Sequence, residues 1–75
     1  MSAYVMINTE PGSELNVQKK LGEIESVNDV YITYGIYHII ATVNGKNMED
    51  MKKIKEDIRH IDGVKQILYL LKKTE

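Results

Sequence analysis

No cysteine occurs among these 75 residues, which excludes a disulfide, a thiolate metal ligand and a cysteine nucleophile. Phenylalanine is absent and Arg59 is the lone arginine, so a sheet that stacks bases on aromatic rings and guanidinium planes lacks its materials. Neither sign of charge dominates. Ten Lys and Arg against eleven Asp and Glu leave a net charge of −1, poor footing for direct nucleic-acid binding. The basic pairs Lys19-Lys20, Lys52-Lys53 and Lys72-Lys73 read as solvated helix faces and tail. No run approaches the roughly 18 consecutive apolar residues of a membrane span. Met1-Ser2-Ala3-Tyr4 lacks a signal peptide's basic start and cleavage site, so a cytoplasmic setting is expected. His38 and His60, the two histidines, are too few for a zinc site without carboxylate help, and no metal or other cofactor is expected.

A chain of this length suits one domain, spanning 1–75, and buries only roughly 60% of its extended surface on folding. With disulfide and metal staples missing, oligomerisation is the remaining route to stability. What the chain does contain is a repeat. Ile24-Glu25-Ser26-Val27-Asn28-Asp29-Val30-Tyr31-Ile32 is echoed thirty-seven residues on by Ile61-Asp62-Gly63-Val64-Lys65-Gln66-Ile67-Leu68-Tyr69. In each copy an apolar residue ends a helix-periodic stretch and a valine three residues later opens a strand. Two copies of strand, helix and strand in so short a chain point to a split βαβ pair in one sheet.

Along the chain, residues 3–9 alternate with period two and predict a strand. Pro11-Gly12 ends it, and Ser13 is placed to cap a helix over 14–24 with its hydroxyl. Val17, Leu21 and Ile24 form that helix's apolar stripe. Gly22 within it marks close packing or the helix end. Residues 27–34 and 36–43 predict a hairpin with a tight or bulged turn at Tyr34-Gly35-Ile36. Asn47, with Asp50 three residues on, caps a second helix striped by Met51, Ile54, Ile58 and Ile61, with Met48 and Met51 as core filler. Asp62-Gly63 closes that helix, a last strand covers 64–72, and Lys73-Thr74-Glu75 is a tail. The expected fold class is α+β: ferredoxin-like βαββαβ, a four-stranded antiparallel sheet with two helices on one face.

The helix side of that sheet is expected to receive Val5, Ile7, Ile39, Ala41, Val43, Leu68 and Leu70. The opposite face would display Tyr4, Met6, Tyr31, Ile40, Ile67, Tyr69 and Leu71 beside Asn8, Thr33, His38 and Thr42. A monomer rarely exposes so large an apolar patch. The face therefore reads as a self-association interface, with Tyr4, Met6, Tyr31, Thr33, Ile40 and Leu71 in it.

Residues 3–12 (Ala3-Tyr4-Val5-Met6-Ile7-Asn8-Thr9-Glu10-Pro11-Gly12), the hairpin with Tyr34-Gly35-Ile36-Tyr37-His38, and Ile61-Asp62-Gly63-Val64 together resemble the effector-binding RAM domain of the Lrp/AsnC family. The resemblance covers nearly the whole chain, and the order and spacing of the motifs carry it. It implies an amino-acid-sensing oligomerisation domain, a dimeric α+β assembly extending to a ring of four dimers with effector held between dimers. It also implies pairing with full-length regulators. The family's helix-turn-helix has no room before a strand that begins at residue 3, so no DNA binding is expected of these residues themselves. By the same resemblance the effector site comprises Tyr34, Gly35, Ile36, Tyr37, His38, Ile67 and Tyr69. The family's Gly-x-Tyr-Asp becomes Gly35-Ile36-Tyr37-His38, which removes the aspartate that faces a ligand's ammonium. Ile67 and Tyr69 stand where two threonines are frequent. Such a site favours a more apolar or aromatic ligand over a small polar amino acid.

His38 also reads as a packed, hydrogen-bonded interface histidine, and His60 as solvated. Asp29, Asp50, Asp57 and Asp62 do not pair on a buried face, and no nucleophile and base are spaced for catalysis. An alternative is a small enzyme of the dimeric α+β barrel kind, with His38 or a tyrosine as acid or base. It would need a pocket inside the protomer, between sheet and helices. A purely structural oligomerisation module is the other alternative.

Overall fold

A computed structural model describes residues 1–73; of the expected tail, Thr74 and Glu75 lie outside the described residues. Strand β1 (Ser2–Thr9) leads to helix α1 (Glu14–Gly22), strands β2 (Val27–Ile32) and β3 (Ile39–Asn44), helix α2 (Met48–Arg59) and strand β4 (Val64–Leu71). All pairings are antiparallel, and the strands lie in the order β2-β3-β1-β4. This is the expected ferredoxin-like arrangement. Alternation along β1 and β3 sends Ala3, Val5, Ile7, Ile39, Ala41 and Val43 to the helix side, where all are fully buried. Val17 and Leu21 of α1 and Met51, Ile54 and Ile58 of α2 close over them. Burying each such aliphatic side chain stabilises the fold by about 1.5–3 kcal/mol. Among the described residues no helix is long and apolar enough to cross a membrane.

The repeat builds the same corner twice. Val27 N–H donates to the Ile24 carbonyl at 3.0 Å, and Val64 N–H donates to the Ile61 carbonyl at 3.1 Å. Each helix thus leads into its strand through one four-residue turn, 24–27 and 61–64. Helix α1 stops at Gly22, two residues short of Ile24, which still packs partly buried against the core. A Cβ at Gly22 would meet nothing within 4 Å, so the helix end accounts for this glycine.

Four sequence expectations need correction. Ser13 occupies the N-cap position of α1, but its hydroxyl makes no capping bond; its side chain instead lies against Gly63. By contrast, Asn47 caps α2 as expected, accepting from Asp50 N–H at 2.8 Å, and the Asp50 carboxylate reaches back to Lys46 N–H at 2.8 Å. Met48 is 45% exposed and is not core filler. The hairpin turn is wide: β2 ends at Ile32 and β3 starts at Ile39, leaving a loop over 33–38. Thr33 holds that loop, donating from its N–H to the His38 carbonyl at 2.8 Å and from its hydroxyl to the Tyr37 carbonyl. Polar groups satisfied inside the loop no longer call for a ladder.

The fourth correction is the phase of β4. Val5 pairs with Tyr69, Ile7 with Ile67 and Ala3 with Leu71, while Tyr4 pairs with Leu70 and Met6 with Leu68. Ile67, Tyr69 and Leu71 therefore share the helix side, and Leu68 and Leu70, each 40% exposed, share the outer face. Five consecutive apolar residues, 67–71, give period-two reading no polar contrast by which to set its phase.

Candidate functional site

The end of β1, the hairpin loop and the start of β4 meet at one corner of the sheet. Asn8, Thr9 and Pro11, Ile36 and His38, and Lys65 and Gln66 line an open groove there of about 260 Å³. His38 organises it. Its N–H donates to the Ile7 carbonyl at 2.9 Å, and its Nδ1 accepts from Thr9 N–H at 3.1 Å with the Thr9 hydroxyl 3.3 Å away. Beyond the reach of β3, the imidazole takes the role of a strand carbonyl for Thr9, which is only 2% exposed. The histidine expected from the sequence to be packed and hydrogen-bonded in an interface makes these hydrogen bonds within its own chain. Asn8 Oδ1 is buried and has no hydrogen-bond partner among the described residues, a condition that costs about 1–3 kcal/mol until a donor arrives.

Beside the groove the loop tip stands clear of the protein. Tyr34 is 106% exposed and Ile36 83%, and Gly35 between them has φ +149°, a conformation that side-chain-bearing residues rarely adopt. Tyr37 is half-buried and its carbonyl receives the Thr33 hydroxyl. Of the expected effector residues, the structure therefore brings Tyr34, Gly35, Ile36, Tyr37 and His38 to one end of the molecule.

Ile67 and Tyr69 are placed elsewhere. Ile67 borders a more cationic groove of about 370 Å³ between α2 and β4, with Lys55, Arg59 and Lys65. That larger groove lies on the helix side of the sheet and does not include the loop residues. The Tyr69 hydroxyl donates to the Met51 carbonyl of α2 at 3.0 Å, and Lys55 Nζ lies 5.9 Å from its ring centroid. Burial, with a smaller push from the Asp50 carboxylate, raises the Tyr69 pKa above its ordinary 10.0. An acid whose folded pKa is raised contributes stability that is whole below the unfolded pKa and lost as pH rises through the folded one. Unfolding midpoints measured across that range should thus fall above about pH 10 in the parent, and Tyr69→Phe should remove this residue's share of the fall. At neutral pH, Tyr69→Phe should cost about 1 kcal/mol, the worth of one hydrogen bond.

On the outer face, register sets Tyr4 opposite Thr42, Met6 opposite Ile40 and Tyr31 opposite Ile40. These residues form one surface with Leu68 and Leu70. Lys72 Nζ sits 4.6 Å from the Tyr4 ring centroid. Leu71, expected in that surface, borders α2 beside Met48 instead, and Thr33 lies in the loop.

Asn8, Thr9, Pro11, Lys65 and Gln66 line the groove without having been expected there from the sequence. The available signal was positional: an antiparallel β1–β4 pair sets the exit of one strand, residues 8–11, beside the entry of the other, residues 64–66. No motif marks them.

The sequence profile of the Lrp/AsnC ligand binding domain matches residues 2–70. The chain is 38% identical over 63 residues to the HTH-type transcriptional regulator LysM of Sulfurisphaera tokodaii, a match covering 83% of this chain and 45% of that regulator. It thus spans less than half of that relative's length. Among solved structures, a hypothetical protein from Pyrococcus horikoshii superposes with a TM-score of 0.90 at 27% identity, covering 99% of this chain and 90% of that one. A feast or famine regulatory protein from M. tuberculosis, complexed with L-methionine, superposes with a TM-score of 0.76 over 99% of this chain and 52% of its own. At 21% identity it shows the fold alone. Two repeats folded into one sheet, a grooved hairpin end and a family match across nearly every described residue lead to one conclusion: the chain belongs to the Lrp/AsnC ligand-binding domain family.

Proposed function

We propose that residues 1–75 act as one effector-binding and oligomerisation unit of the Lrp/AsnC transcription-regulator type, sensing an amino acid or a related small molecule. The observation that carries this reading is the hairpin groove, whose polar lining from three elements sits beside the projecting Tyr34 and Ile36. The M. tuberculosis protein of the same fold holds L-methionine, which supports a small ligand for this one.

Assembly belongs to the same proposal. The chain exposes 5201 Å², against roughly 4,700 Å² for a compact monomer of its mass, and its outer sheet face is apolar. We assign a dimer through that face and a further ring of four dimers that closes the groove. Full-length regulators of the family are the natural partners. Direct nucleic-acid contact is not assigned to these residues, and the setting is the cytoplasm, where such regulators work.

The enzymatic alternative needed a pocket between sheet and helices. The centre of that layer is filled by Val5, Ile7, Val17, Leu21, Ile39 and Ile58, all fully buried. The groove between α2 and β4 is an open one at its edge, with no carboxylate or histidine in its lining among the described residues; both support a binding module over an enzyme.

Thermal unfolding of the purified protein against all twenty amino acids at millimolar concentration tests the reading. A ligand at about 100 times its dissociation constant adds roughly 2.7 kcal/mol, which moves the midpoint of so small a domain by about 10 °C or more. A flat panel, repeated with the corresponding α-keto and α-hydroxy acids, would leave oligomerisation alone as the function. Replacing Tyr34 and Ile36 together by serine should change the stability of the ligand-free protein by less than about 0.5 kcal/mol, as for other exposed sites. The same double variant should abolish the ligand-dependent shift, because the exposed tip contacts a neighbour in the assembled site.

A further inference from the structure

We propose that the hairpin groove takes a small carboxylic acid without an α-ammonium, an α-keto acid with an apolar side chain, in preference to the matching amino acid. This rests on reading the groove as the effector site and specifies its ligand.

Of the residues lining the groove, Lys65 and His38 are the ionisable ones, and no carboxylate is among them in the described residues. Glu10 follows Thr9 in sequence but does not line the groove. Nδ1 of His38 already accepts from Thr9 N–H, so the imidazole in this bond carries its proton on Nε2. The ring nitrogen left for a ligand is therefore a donor. The Lys65 ammonium is a donor with full positive charge, and the Gln66 carboxamide supplies further N–H groups together with one neutral carbonyl oxygen.

A ligand carboxylate meets donors and a cation here, the pairing that makes strong charge-assisted hydrogen bonds. A ligand α-ammonium can only donate, and it would meet the like charge of Lys65 with neutral acceptors alone and no anion to offset it. Exchanging that ammonium for a keto oxygen replaces a cation beside the Lys65 cation with an acceptor beside donors. Asn8 Oδ1, the open acceptor, is neutral and has no exposed surface, so it does not supply the missing anion. Ile36 and Pro11 provide the apolar walls, which suit a hydrocarbon side chain.

Calorimetric titration of the whole, assembled protein with two matched pairs tests the proposal: phenylpyruvate against L-phenylalanine, and α-ketoisocaproate against L-leucine. The keto acid of each pair should bind at least about tenfold more tightly. Lys65→Gln, at an exposed position, should weaken the keto acids and bring each pair within about threefold. His38→Asp, whose carboxylate can still accept from Thr9 N–H, should reverse the preference towards the amino acid. An amino acid that binds as tightly as its keto acid to the parent overturns the inference and leaves the effector function standing. A keto-acid preference that Lys65→Gln does not alter overturns it as well, since the discrimination then lies outside this groove. Binding by neither class overturns both the inference and the effector function.

Discussion

Gly63→Ala should lower the midpoint of thermal unfolding by roughly 10–20 °C, while Gly22→Ala leaves it unchanged or slightly higher. Gly63 holds φ +98°, where a Cβ crowds the backbone, and the Cβ would stand 2.7 Å from Ser13 Cβ and 3.3 Å from Val17 Cγ2. The first effect costs about 1–2 kcal/mol, and overpacking adds about 1–3 kcal/mol. Neither can relax cheaply. Ser13 Cβ is held by the backbone at the start of α1, Val17 is fully buried, and the Gly63 carbonyl accepts from Glu10 N–H at 2.8 Å. A domain of this size has a total stability of about 4–11 kcal/mol, so a loss of about 3 kcal/mol is a large share. Calorimetry of the two variants beside the parent checks this. Equal midpoints for Gly63→Ala and Gly22→Ala would show that the α1 start and the α2–β4 corner are not in contact.

Leu68→Asp should convert the proposed dimer to monomer, weakening association by about 100-fold or more, whereas Leu71→Asp should leave it intact. Leu68 stands opposite Met6 on the outer face, and Leu71 opposite the buried Ala3 on the helix side. In the proposed dimer an aspartate there removes an apolar anchor and must be desolvated without a partner, a loss in the range of interface hot spots. At position 71 the same carboxylate stays beside Lys52 and Lys55 at the margin of α2. Sedimentation across a concentration series distinguishes the two. Dissociation by Leu71→Asp but not by Leu68→Asp would restore the phase of β4 first read from alternation and move the interface with it.

These two experiments bear on different kinds of information. The α2 stripe, the Asn47 cap, the alternation of β1 and β3, and the repeat with its paired corners were legible because polar and apolar residues contrast there at one period. Such contrast is a local property, and element order follows from it once short connections are allowed. The groove was legible in part. Gly35 to His38 stood out as a hairpin tip, but the distance from a tight turn to a loop over 33–38 depends on where Thr33 sends its hydroxyl.

Sequence by itself determined the element order, the faces of the two inner strands and both helices, the absence of staples, and through motif order the family. Tertiary structure alone decided the phase of β4, the partner of the Ser13 side chain, the tie between His38 and Thr9, and the meeting of Lys65 and Gln66 with the hairpin. The physical reason is the same in each case. Residues 67–71 are apolar throughout, so only the register against β1 can select their faces. A serine or histidine has several hydrogen-bonding options within reach of its own segment, so only a backbone group arriving from a distant element selects among them.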